Sequence, residues 1–531
     1  MRLLKYLMKL AGIKPPRHFY WRLATNCILA LILLPLVLVA SRSFMLDTSN
    51  LKHITTNLLP LYVWNTSILV IGTSAITLVL GVATAWFVTV YDFPFRKHFE
   101  WVLILPLAIP TFINAIAYVG LTDFAGPIRI FFRWLGTDIY LDIMNHTGAI
   151  LIMSLVLYPY VYVTSRSAFL LQSSSLMEVS RSLGQSMRRT FFKVVLPLAW
   201  PAIFAGLILV IMEVLNDYGV VSYFGIPTFT VGIFRSWLAL GDLSTAVFLS
   251  VIVLTFVVIL LIIEFRANRK KRLTPDKAEP FFSRLKTKRK WLLFSICLLP
   301  VLAGFIIPVG QLLWWFFLAY THDVWTSLFT LVGNTAILGI STTLIVAILS
   351  IILVYTFRLV KKKGVKKTIA KLPMLGYAMP GAVIAVGIVA FILIINPDLI
   401  YSSILALIFG YTVRFFAVGY GSIESGMEKI PSQIDDAAQS LGSNTFRNLI
   451  RVHLPVLKPV LLGALIMVFV DVAKELPITL ILRPFNYETL ATNAFQYAKD
   501  EMAPRSASSS LLIIFVSAIP VYYLNRILHR R

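Results

Sequence analysis

Residues 178–197 read EVSRSLGQSMRRTFFKVVLP, and residues 436–455 read DAAQSLGSNTFRNLIRVHLP. The two stretches lie 258 positions apart and align without a gap. Each opens on an acid, reaches Ser-Leu-Gly, carries an arginine five residues past the glycine and closes on Leu-Pro. Glu178, Gly184, Arg189 and Pro197 thus match Asp436, Gly442, Arg447 and Pro455. Long apolar segments flank both copies. Connecting loops are ordinarily the most variable parts of a chain, yet here the loop is the best-matched part of two halves. A charged stretch kept twice in an oily chain is expected to touch something in the water.

Composition sets the class. The chain has 531 residues, 58% of them hydrophobic, with a net charge of +24 and a mean hydropathy of +0.83. These values belong to a polytopic membrane protein. The excess charge is concentrated in three places. Residues 1–22 hold six Lys or Arg and no acid, residues 266–290 hold eleven against Asp276 and Glu279, and RLVKKKGVKK spans 358–367. All fall in alternate loops, as cytoplasmic retention of basic residues requires. That placement argues for a membrane surface and against nucleic acid. Cys27 and Cys297, the two cysteines, both fall in apolar segments and imply no disulfide framework. The seven histidines show no metal-ligand spacing.

A helix crossing a ~30 Å hydrocarbon core needs roughly 20 residues. About twelve apolar stretches qualify, near 24–42, 65–90, 100–121, 147–170, 198–221, 244–264, 292–319, 334–357, 372–396, 399–420, 458–480 and 507–526. The expected fold is therefore an all-α polytopic membrane protein of two six-helix halves. Counting from a cytoplasmic N-terminus puts every basic run, both repeated loops and the C-terminus inside, with 121–146, 222–243 and 481–506 outside. In the first of these, GPIRIFFRWLG suggests a short interfacial helix with Trp134 at headgroup level. The duplication extends past the loops: Asn65-Thr66 matches Asn334-Thr335, Pro110 matches Pro380, Pro201 matches Pro459, and Asp242 matches Asp500. Asn65 and Asn334 are expected as helix caps. The halves are parallel repeats about an axis along the membrane normal, and a pathway between them is the natural site. The expected domains are an N-terminal segment with the first helix (1–60), transmembrane domain one (61–265), a basic linker (266–290), the first helix of the second half (291–330) and transmembrane domain two (331–527).

In each loop the opening reads as a short helix, the glycine permits a turn that a Cβ resists, and a second amphipathic stretch ends at Leu-Pro before the next membrane helix. This pattern resembles the EAA loop of permease subunits from binding-protein-dependent ABC importers, which runs Glu-Ala-Ala, three residues, Gly, nine residues, Ile, one residue, Leu-Pro. Copy one supplies Glu178, Val179, Ser180, Gly184, Val194, Leu196 and Pro197; copy two supplies Asp436, Ala437, Ala438, Gly442, Val452, Leu454 and Pro455. All spacings hold. Val-Ser replaces Ala-Ala in the first copy, Asp replaces Glu in the second, and Val replaces Ile in both. The resemblance implies a type I importer permease with two fused transmembrane domains in a bacterial inner membrane. It also implies that each loop docks into one of two ATP-binding subunits. The chain has no GxxxxGK[ST] phosphate loop, so it is expected to bind no cofactor and to be no enzyme. ATP is spent by the partner.

Acids inside a membrane cost about 2.5–3.5 kcal/mol each at a helix centre. Glu213 and Asp217 lie four residues apart on one face of the fifth segment, and Asp471 and Glu475 are their matches. Glu213 falls about 22 Å along from position 198, in the outer half of the membrane. One reading is an anionic ring along the pathway, with Tyr218 or Tyr223 as further oxygen donors suited to Fe(III). The other is pairing with Lys474 or Arg235, or capping of helix ends at the interface. The stretches 105–128, 212–242 and 473–501 are similar to those of ferric-iron importer permeases, implying iron delivered by a periplasmic or surface-tethered binding protein. Thiamine, sulfate, phosphonate and polyamine permeases share the fold and loop. A proton- or sodium-coupled secondary transporter is a rival that leaves the twin loops unexplained. A membrane enzyme or scaffold lacks any nucleophile and base pairing.

Overall fold

The computed structural model describes residues 19–42, 51–137, 139, 141–171, 180, 182–269, 285–319, 323–360, 372–374, 376, 379–395 and 404–529. Glu178, Val179 and most of the three basic runs lie outside these residues. The regular structure of the described residues is helical apart from a two-residue parallel pair, β1 (Tyr91–Asp92) and β2 (Leu285–Lys286). Among the described residues eleven helices are long and apolar enough to cross a membrane. The membrane helices of the first half are α1 (Phe19–Arg42), α2 (Leu59–Val90), α3 (Thr111–Thr122), α4 (His146–Leu171), α5 (Leu196–Asn216) and α6 (Leu243–Arg269). Those of the second are α7 (Lys290–Leu318), α8 (Asp323–Leu359), α9 (Gly381–Ile395), α10 (Ile404–Glu428), α11 (Leu454–Ala473) and α12 (Ala507–His529).

The third segment of each half is broken, where the sequence suggested one continuous span. In half one a 3-10 turn at Leu105–Ala108 precedes α3. Ile109 is extended at φ −95°, ψ 121° because the ring of Pro110 excludes the helical conformation from the residue before it. In half two a 3-10 turn at Leu372–Met374 precedes α9, which starts directly after Pro380 and has only 15 residues. That length is why eleven helices rather than twelve meet the spanning criterion. The fifth segment also ends early: α5 stops at Asn216 and α11 at Ala473. Each is followed by a short helix, Gly219–Tyr223 or Pro477–Leu482. The segment after α3 forms the helix Pro127–Trp134, with none of its residues buried.

Two further expectations are corrected. Leu-Pro does not end a helix. The chain is helical from Met187 to Asn216 and from Thr445 to Ala473, and a π turn precedes each Leu-Pro, at Phe191–Val195 and Leu449–His453. A proline removes a donor from a continuing helix, and the wider π turn before it shifts the bonding to accommodate the missing N–H. Nor do Asn65 and Asn334 cap anything, because both sit inside longer helices. Asn65 Nδ2 instead donates to the Pro227 carbonyl (2.8 Å) and Asn334 Nδ2 to that of Glu488 (2.9 Å), tying the second helix of each half to the loop that follows its fifth segment.

Helices two, four and five of each half pack as a triad, α2 with α4 and α5, and α8 with α10 and α11. The first helices cross over. α1 packs on α8 and α9, whereas α7 packs on α3 and α12. A Cβ on Gly387 of α9 would stand 2.5 Å from the Pro35 carbonyl oxygen of α1, and Gly120 of α3 lies as tightly under Trp315 of α7. Tyr118 Oη donates to the Ala303 carbonyl at 2.7 Å across the same α3 and α7 contact. Accordingly there are two apolar cores, one joining α2 to α5 with α7 and α12, the other joining α8 to α11 with α1 and α6.

Candidate functional site

The twin loops share a backbone. Gly184 and Gly442 hold φ of +73° and +76°, and a Cβ there would meet nothing within 4 Å. The glycines answer a need of conformation, not of space. A polar cap follows each: Ser186 Oγ accepts from the Arg189 N–H (3.4 Å) and Asn444 Oδ1 from that of Arg447 (2.8 Å). The arginine side chains, Asp436, Ala437, Pro197 and Pro455 are exposed, whereas Ala438, Leu196 and Leu454 are half-buried. Leu183 and Leu441, immediately before the glycines, are 72% and 88% exposed.

The loops are anchored differently. Ser180 is buried and its hydroxyl pairs with that of Thr190 at 2.7 Å. In the second loop Asp435, on the helix Gln433–Ser440, bonds Arg358 Nε (2.6 Å), Asn448 Nδ2 (3.0 Å) and His453 Nε2 (2.6 Å). Burial pushes the Asp435 carboxyl up, but the Arg358 and His453 hydrogen bonds outweigh it and hold the group below the usual carboxylate range. Arg358 also donates to the carbonyls of Met427, Ile430 and Pro431.

All four intramembrane acids, Glu213, Asp217, Asp471 and Glu475, line one cavity of about 100 Å³ between the halves, together with Tyr218 and the broken start of α3. The helix breaks put them there, by turning the chain beneath Pro110 and after Asn216 and Ala473. Asp217 accepts from Thr111 Oγ1 and from the Val220 N–H (2.8 Å). Glu475 accepts in the same way from the Ile478 N–H (3.0 Å). Each therefore caps the short helix that follows it. The cavity is not purely anionic: Lys474 pairs with Asp471 at 2.9 Å, and Arg414 stands 3.5 Å from Glu475. Four acids against two bases leave a formal excess of two negative charges. Tyr218 stacks on Phe234 with centroids 3.7 Å apart. Arg235 and Tyr223 do not line this cavity.

Arg414 was missed from the sequence, although an arginine in the middle of an apolar segment was signal enough. Its NH1 donates to Asn216 Oδ1 at 2.6 Å, and the Gly381 N–H donates to the same oxygen at 2.7 Å. Asn216 of the first half thus ties two elements of the second. Lys474 also interacts with Glu213 across the halves. Among the described residues no three His, Cys, Asp or Glu side chains gather closely enough to hold a metal.

Residues 77–272 and 359–531 each match the family described as binding-protein-dependent transport system inner membrane component. The Fe(3+)-transport system permease protein FbpB 2 of Haemophilus influenzae is 26% identical over 469 residues, covering 87% of this chain and 89% of that protein. A probable sulfate transport system permease of Chlorella vulgaris is 31% identical, over 27% of this chain and 52% of its own length. The spermidine/putrescine permease PotB of Escherichia coli is 29% identical over 28% of this chain and 54% of its own length.

Proposed function

We propose that this chain, which belongs to the family of binding-protein-dependent transport system inner membrane components, forms the translocation path of an ATP-driven ferric-iron importer. Its family is one of transport permeases, non-catalytic membrane subunits, and it carries the family's domain twice. The observation that carries the iron reading is coverage. Similarity to the Haemophilus Fe(3+) permease runs nearly end to end, whereas the sulfate and polyamine permeases match about a quarter of the chain. The inner cavity supports the same reading, since an excess of carboxylates attracts a cation and repels sulfate.

In this reading 61–265 and 331–527 are the two transmembrane domains and 266–290 is a cytoplasmic linker. Both termini are cytoplasmic, and a periplasmic or surface-tethered binding protein delivers iron to the outer face. Two ATPase subunits engage the twin loops, seating the exposed Leu183 and Leu441 with Glu178, Asp436, Arg189 and Arg447 around them. Closure of the ATPase pair draws the loops together and reorients the path. Glu213, Asp217, Tyr218, Asp471 and Glu475 line that path. The test is reconstitution of the chain with its ATPase and iron-loaded binding protein in liposomes. ATP-dependent uptake of radioactive iron, with no uptake of sulfate or spermidine, is the expected result. Uptake driven by an ion gradient without the ATPase would overturn it.

A further inference from the structure

A second, larger cavity of about 760 Å³ opens on the outer side, lined among others by Asp123, Tyr223, Gln311, Trp315, Lys499 and Glu501. Two elements contribute to both cavities. α3 begins in the inner cavity at Thr111 and reaches the outer at Val119, and the helix Gly219–Tyr223 runs from Gly219 in one to Tyr223 in the other. Along α3 the step from Thr111 to Val119 is eight residues, about 12 Å at ~1.5 Å per residue.

The outer cavity presents hard oxygen donors. Asp123 and Glu501 supply carboxylates and Tyr223 a phenol, and Gln311 of α7 is 4% exposed with no hydrogen-bond partner among the described residues. A buried amide turned into a cavity without a partner is a group waiting for a ligand or its water. The fold does not require this chemistry. The matching positions of the other half are Leu393 for Asp123 and Ile481 for Tyr223, both packed in the second core. Glu501 holds a φ of +61°, a backbone conformation that a side chain with a Cβ rarely adopts. Burial pushes the Tyr223 phenol up to about 12, with Asp123 and Glu501 adding to the rise.

We propose that this outer cavity receives a hydrated multivalent metal cation through Asp123, Glu501, Tyr223 and Gln311 before the ion passes to the inner cavity. The inference rests on the cation-importing reading above. Two carboxylates are too few to strip a metal of its water, and Lys499 offsets part of their charge, so the ion is held through its water shell and leaves readily. A way station must bind weakly enough to let go.

Terbium(III) tests this directly, because Trp314 and Trp315 line the cavity and transfer excitation to a bound lanthanide. The full chain in maltoside micelles should give saturable tryptophan-sensitised emission. The Asp123→Asn/Glu501→Gln pair should weaken terbium binding at least about ten-fold, Lys499→Gln should tighten it, and Trp315→Phe should dim emission at unchanged affinity. In the reconstituted importer the carboxamide pair should raise KM for iron uptake more than it lowers kcat. Tyr223→Phe, which keeps the ring, should weaken terbium binding in the same direction. Wild-type affinity in the carboxamide pair, or no saturable emission from the parent chain, would overturn the proposal. Intact terbium binding in a wild-type importer that carries no iron would overturn the cargo reading and leave the site standing.

Discussion

The two halves share a backbone and differ in what they place on it. Gly184 and Gly442 hold nearly the same left-handed turn, and Asp217 and Glu475 cap equivalent short helices. Around that shared geometry the polar chemistry diverges. Half one anchors its loop with a pair of hydroxyls, Ser180 and Thr190, and half two with a charged knot on Asp435. At the inner cavity half two contributes both cations, Arg414 and Lys474, where half one has Val156 and Asn216. The duplicated elements keep one backbone shape, while the side chains that line the cavity between the halves are lopsided.

Arg414→Val, which gives half two the residue of half one, should have the largest effect. It strands the buried Glu475 without a counter-charge, a loss of about 3–5 kcal/mol by thermal unfolding in detergent. Adding Glu475→Leu should restore much of it, and no recovery would show that the arginine matters through Asn216 instead. Gly184→Val and Gly442→Val come next. A β-branched residue in a left-handed turn costs roughly 1–2 kcal/mol, so each should uncouple ATPase stimulation from uptake while membrane insertion is unchanged. If only one of the two does so, the loops are not equivalent docking sites.

Smaller effects separate the two anchors. Asp435→Asn should loosen loop two by about 1–3 kcal/mol, and Ser180→Ala should loosen loop one by about 1 kcal/mol, both read by hydrogen exchange of the loop amides. The anchors should also differ in pH response. Asp435 is held below its ordinary range, so its contribution is complete above the unfolded carboxylate value and fades only as the pH drops through the lower folded value. Loop two should keep its protection at pH 5 and lose it at strongly acidic pH, while loop one shows no carboxylate step. The smallest contrast is at the caps: Asp217→Asn should retain the helix start within about 1 kcal/mol, with impaired iron uptake if the charge itself serves the path.

Much of this was legible in the sequence. The apolar runs gave the helices, and an acid at i and i+4 on both fifth segments gave the carboxylates that meet in the cavity. Where reading failed, tertiary structure decided. Pro110 breaks its segment because the residue before it must be extended, but hydropathy averages over such a break. Leu-Pro looks like a stop, and only the π turn before it shows how the helix continues. Asn65 and Asn334 looked like caps because their real acceptors, the Pro227 and Glu488 carbonyls, lie more than 150 positions away. The crossing of α1 and α7 left no trace, since a helix apolar all round does not say which neighbour it will choose.

That crossing has a consequence for how the protein is made. Thr356 Oγ1 of α8 donates to the Trp21 carbonyl of α1 across 335 positions. At ~5–20 residues per second a ribosome needs roughly 20–70 s to produce that much chain. Through that interval α1 is anchored in the bilayer with lipid, or an insertion factor, where α8 and α9 will later stand. The order in which the helices are born is therefore not the order in which they find their neighbours, and an arrest of translation before α8 would leave the first helix a widow in the membrane.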